Sequence, residues 1–252
     1  MKFDLAFNNE KPDPDAVATL FQDSVFYISQ SSANRQPVIA EFVGERLHLR
    51  RENDYAVKMM ERFFPPIQLR GPNENNSIAY FRSLTRKGLE TALMEIDAAL
   101  VADGTSRAEF LDTKAWVLHG LGQDATALPF IQESLKKIHS QLKQIAGVHT
   151  EDRAKFLAFF ISDIEDSTRE DSTTEDSAEN DSTAAQPKNR LDELKNQLPY
   201  LQPLALELQA ERIASVRFHR ACILDELGRT EESELDYRWL DRFGFTEPDK
   251  LN

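Results

Sequence analysis

Apolar residues recur at helical spacing over much of the chain. Val17, Leu20, Phe21, Val25 and Ile28 stand three or four apart behind Asp13-Pro14, a capping residue and a proline suited to a first helical turn. A helix is expected there. VIAEFVGERLHLRRE is less decided: Leu47 and Leu49 alternate as on a strand, yet the charge content suits a helix, and helix is the expectation. Residues 55–64 read as another helix, stopped by Pro65-Pro66, and GPNENNS (71–77) reads as a loop. Ser106 with Glu109 three residues later has the spacing of a capping box.

Three stretches align by their glycines: YFRSLTRKGLETALMEIDAAL, AWVLHGLGQDATALPFIQESL and ACILDELGRTEESELDYRWL. Four residues before Gly88, Gly122 and Gly228 stand Leu84, Leu118 and Leu224, and seven before stand Phe81, Ala115 and Ala221. After each glycine comes a small residue (Ala92, Ala127, Ser233), then a bulky one four later (Ile96, Ile131, Tyr237). The physical reading is a pair of antiparallel helices. Glycine beyond a helix end takes the left-handed conformation without strain, Asp124 and Thr230 suit the N-cap of the next helix, and the small residue lets the two helices approach.

This pattern resembles the tetratricopeptide repeat, a helix–turn–helix unit of about 34 residues. Gly88 to Gly122 spans 34 residues. The signatures are degenerate: the family's early tryptophan and closing proline are missing, and Phe81 stands where a small residue is usual. The resemblance implies an all-α superhelix of antiparallel helix hairpins that works as a protein–protein interaction scaffold. One face of the first helices would line a concave groove for a partner protein or peptide. Carried over, that face holds Glu109, Asp112, Trp116 and His119 in the middle unit and Ser215, Phe218, Cys222 and Asp225 in the last, with Trp116 and Phe218 as aromatic anchors. Packing of both aromatics against neighbouring helices is the competing reading. The basic and asparagine set that clamps a carboxylate terminus in some family members is missing. The alternative to a groove binder is an assembly subunit that docks by its convex face and terminal helices.

The expected organisation is an N-terminal helical segment (1–74), repeats (75–162), an acidic Ser/Thr-rich insertion (163–189) and C-terminal helices with a repeat (190–252). Gly122 to Gly228 covers 106 residues, room for a divergent unit with one helix over 154–161 and another starting near Leu191, divided by Pro199 and Pro203. Charge sharpens this division. The chain carries −13, and nine acids against Arg169 give residues 163–185 a share of −8, leaving −5 elsewhere. The pentads EDSTR, EDSTT, EDSAE and NDSTA have neither a glycine to turn a calcium loop nor a period near 3.6, so a disordered, self-repelling insertion is expected.

No basic field draws nucleic acid. The longest apolar run, FLAFFI, is far below the ~20 residues of a membrane span, and the start lacks the apolar core of a signal peptide, so a cytoplasmic protein without membrane insertion is expected. His48, His119, His139, His149 and His219 lack metal spacing, and the single Cys222 builds no cysteine zinc site. Phosphate loops, G-x-S-x-G and HExxH are missing too. No catalytic residue, cofactor or metal is expected, and an enzyme on a helical frame is the least favoured class.

Overall fold

The computed structural model describes residues 14–146 and 203–245, all helices and turns with no strand among them. The chain divides into two compact units, one ending at Gln123 and one starting at Asp124. The unit boundary falls in the turn of the middle expected hairpin. The expectations for the acidic insertion, for the helices near 154–161 and 191, and for the signal-free start lie outside the described residues.

The first unit contains α1 (Pro14–Ser29), α2 (Gln36–His48), α3 (Asn53–Phe63), a 3-10 turn (Ile67–Leu69), α4 (Pro72–Thr85), α5 (Leu89–Asp103) and α6 (Ala108–Gly120). The ambiguous stretch around Leu47 is thus helix α2. Its inner stripe, Ala40, Val43, Gly44 and Leu47, is buried at the spacing a helix requires. Gly44 permits close packing on α3: a Cβ there would lie 2.8 Å from Met60 Cε.

GPNENNS is a correction, because α4 starts at Pro72. Gly71 takes the N-cap place with extended backbone, and its N–H donates to Glu74 Oε2 at 2.8 Å. Proline in the first turn loses no hydrogen bond. Asn75 Nδ2 donates to Ile67 O at 3.2 Å, tying the new helix to the 3-10 turn. The helix start uses a backbone N–H where the sequence suggests only turn-formers.

The Ser106–Glu109 capping box is likewise not formed. Ser106 sits at φ +48 and Arg107 is the N-cap of α6, without a side-chain capping bond. Arg107 instead lies over the Phe110 ring, 4.0 Å from its centroid, and pairs with Asp103 at 2.9 Å.

Helix α4 separates two cores. Ile78 and Phe81 face a cluster with Ile28, Val43, Leu47, Met59 and Met60. Ala79 faces the other, with Ala92, Ile96, Ala99, Phe110 and Val117. Consecutive helices pack in pairs, α2 on α3 and α4 on α5, and α4 also meets α6. Burial of these side chains is the main stabilising term, at roughly 1.5–3 kcal/mol for each large one.

The second unit contains α7 (Asp124–Ala146), α8 (Pro203–Glu226) and α9 (Thr230–Arg242), with α8 packed on both α7 and α9. The N-cap expectation is corrected: Asp124 and Thr230 are the first helical residues of α7 and α9, where an acid or hydroxyl still suits the first turn. The N-cap of α9 is Arg229, without a side-chain capping bond. Pro203 opens α8. Trp239 stacks on Phe243 at 4.2 Å between ring centroids.

All three aligned glycines are left-handed, with φ of +64 at Gly88, +70 at Gly122 and +69 at Gly228. The small residues after them, Ala92, Ala127 and Ser233, are buried, as are Ile96 and Ile131. The helix–glycine–helix reading therefore holds locally at each of the three turns.

Candidate functional site

Glu109, Asp112, Trp116 and His119 lie on α6 at helical spacing, and Phe218 and Asp225 lie on α8 in the other unit. Only Glu109 and Asp225 are exposed. Trp116 is 5% and Phe218 7% exposed, so both aromatic anchors are covered. The His119 ring, half-buried, stacks on Trp116 at 4.7 Å and 19°. The Arg86 guanidinium stands 4.9 Å from the Trp116 ring centroid, a cation–π arrangement the sequence did not suggest. Asp112 is buried beside Tyr80, whose hydroxyl pKa is pushed up by burial first and by the Asp112 charge second.

Asp225 has structural work. Ser233 Oγ donates to its Oδ1, and Tyr237 OH donates to Oδ2 at 2.9 Å, which ties α8 to α9 across the turn. The Tyr237 hydroxyl pKa is pushed up by desolvation first, then by Cys222 and Asp225.

Two buried ion clusters were not legible as sites. Glu95, fully buried, receives Arg70 Nη1 at 2.7 Å and Arg82 Nε at 3.0 Å, and Arg82 Nη1 passes on to Glu61 at 2.8 Å. Asp236, also fully buried, receives Arg217 Nη1 at 2.6 Å and Arg220 Nε at 2.6 Å. Each carboxylate is thus neutralised in place, which a buried charge requires. Among the described residues, no group of three or more His, Cys, Asp or Glu is placed to hold a metal ion. No described helix is long and apolar enough to cross a membrane.

The exposed chemistry lies elsewhere. On α2, Val38 and Phe42 are 65% and 49% exposed, and Leu49, just past its end, is 69% exposed. Their spacing of four and seven puts them in one stripe, opposite the buried stripe of Ala40, Val43 and Leu47. At the end of α1, Phe26 and Tyr27 are 61% and 71% exposed. Arg46 lies over the Phe42 ring at 5.3 Å, and Arg35 and Arg51 are exposed at the two ends of α2. Glu45 also stands exposed beside that face, and its carboxyl pKa is raised from its ordinary value by partial burial first and by the nearby Glu41 second. An apolar stripe rimmed by arginines therefore lies on the outside of a chain whose net charge is −13. The chain matches no family model, and neither a curated protein nor a solved structure matches it.

Proposed function

We propose that this protein is a tetratricopeptide-like interaction module, which docks onto a partner protein through the outer face of its N-terminal helices α1 and α2. The observation that carries the reading is the exposed stripe of Val38, Phe42 and Leu49 beside Phe26 and Tyr27. Single exposed apolar side chains are ordinary, but a helix apolar on two opposite faces asks for a second partner. The three left-handed glycine turns followed by buried small residues support the repeat assignment. The occupant is an amphipathic helix whose apolar residues are flanked by acids, because Arg35, Arg46 and Arg51 rim the stripe. In this reading the chain binds and does not catalyse.

The docking face belongs to terminal helices, the arrangement expected of an assembly subunit. The groove version of the scaffold places its anchors at Trp116 and Phe218, and their burial favours the terminal-helix version.

Affinity capture with cross-linking from the native cell tests both versions. Cross-links should fall on α1 and α2, and capture of that same partner should weaken about thirtyfold with Phe42→Glu, since losing an anchor costs ~2 kcal/mol or more. Rising salt should weaken it further. Capture that survives Phe42→Glu and Leu49→Glu but is lost with Trp116→Ala, at an unchanged melting temperature, would return the site to the groove. A dimer of the isolated chain in sedimentation, dispersed by Phe42→Glu, would assign the stripe to a second copy and overturn the proposed partner.

A further inference from the structure

Within the second unit a cavity of about 350 Å³ opens between α7 and α8. Its described lining includes Gln132, Lys136 and Ser140, one turn apart along α7, and Arg217 and Arg220 from α8. That size is at the lower end of ordinary small-ligand pockets. No carboxylate is among these lining residues.

Asp236 holds Arg220 from behind. Arg220 Nε donates to Oδ2 at 2.6 Å and Nη2 to Oδ1 at 2.7 Å. This bidentate pair fixes the guanidinium plane and leaves the whole Nη1 amino group uncommitted to Asp236. An arginine held this way loses little side-chain freedom when it binds an anion. Lys136 stands on the opposite helix, 75% exposed, and its contact to Glu133 at 3.3 Å is a weak surface pair that exchanges readily. The Gln132 amide and Ser140 hydroxyl add neutral donors on the same line of α7.

We propose that this cavity binds a phosphate monoester. Donors of four chemical kinds, set on facing helices, suit a tetrahedral oxyanion that presents oxygens in diverging directions, whereas a planar carboxylate presents two. The Nη1 amino group of the fixed Arg220 serves one side of the phosphate, and Lys136 supplies a mobile point charge across from it. The site lies in a different unit from the α1–α2 face, so neither reading depends on the other.

Phosphorus NMR of the full chain titrated with inorganic phosphate tests the assignment. Saturable line broadening with a dissociation constant below about 1 mM is expected, with competition by sulfate and not by acetate. Lys136→Glu reverses an exposed charge without threatening the fold and should weaken binding at least tenfold. Arg220→Gln should abolish it, with circular dichroism to confirm the fold. A phosphoserine peptide that binds more tightly than inorganic phosphate would identify a protein side chain as the source. Equal affinity would identify a free phosphate or small ester. No saturable binding, indifference to Lys136→Glu, or competition by acetate as strong as by sulfate would each overturn the proposal.

Discussion

Glu95 in the α4–α5 hairpin and Asp236 in the α8–α9 hairpin hold the same place after their glycine turns, three residues after Ala92 and Ser233. Both are fully buried and both are held by two arginines. The arginines differ. Glu95 is reached by Arg70 from beyond the 3-10 turn and by Arg82 from α4, and Arg82 continues to Glu61 on α3. Asp236 is reached by Arg217 and Arg220, one turn apart on the single helix α8. The first cluster ties a hairpin to the segment before it, and the second joins the two helices of its own hairpin. At the equivalent place after Gly122 stands Phe130, half-buried, so a helix that follows such a glycine turn does not itself require a charge there. The place three residues after the small residue is shielded in all three helices, and local neighbours decide what neutralises an acid there.

The largest effect expected from breaking this comparison is in Asp236→Ala. It leaves two arginines, one of them 3% exposed, without the acid between them, at a cost of ~3–5 kcal/mol. Glu95→Ala should fall toward the lower end of that range, because Arg82 keeps Glu61. Urea unfolding followed by circular dichroism measures both. Equal losses would mean that Glu61, with a side chain 46% exposed, contributes nothing to the cluster.

A smaller effect compares the two turns. Gly88→Ala and Gly228→Ala each force a side chain into the left-handed region, at ~1–2 kcal/mol. The two should cost about the same, since the nearest atom to the new Cβ at Gly88 is Arg82 Nη1 at 3.4 Å, an ordinary contact, and nothing lies within 4 Å of that position at Gly228. Thermal melts in which Gly88→Ala costs clearly more would tie that turn to the ion cluster through Arg82.

Glu45 offers the smallest test, a partly buried carboxylate without an arginine pair. Burial and Glu41 raise its pKa, so the folded chain holds this proton more readily than the unfolded chain. The charged carboxyl therefore detracts from stability at neutral pH, and the penalty disappears once pH falls below the ordinary carboxylate range. Glu45→Gln should stabilise the fold by up to about 0.5 kcal/mol near pH 7 and by nothing near pH 3, because solvent screens a half-exposed group. Melting curves at both pH values decide it. A destabilised variant at pH 7 would show that Arg46 outweighs Glu41.

The helix hairpins were legible because glycine turns and apolar spacing are local signals, and Gly88, Gly122 and Gly228 carry both. The charge-rich α2 was legible as a helix, though its second apolar stripe was not singled out. The start of α4 was missed because Glu74 reaches back to a backbone N–H that no side-chain pattern displays. The groove place of Trp116 came only from the resemblance, and nothing in the sequence displays the Arg86 guanidinium that lies against its ring from beyond α4. The buried acids were illegible for a related reason. Hydropathy treats Glu95 as surface, and its arginines stand 25 and 13 residues earlier in the chain.

The two tryptophans have an optical consequence. Trp116 lies in the first unit and Trp239 in the second, and the chain has no other indole. Each carries an arginine guanidinium on its ring, at 4.9 and 4.8 Å from the centroid. Unfolding removes that cation and admits water to the ring, so the emission of each indole changes when its own unit opens. With Trp116→Phe or Trp239→Phe, the remaining fluorescence reports one unit alone, and the order in which the two units melt becomes readable without any added label.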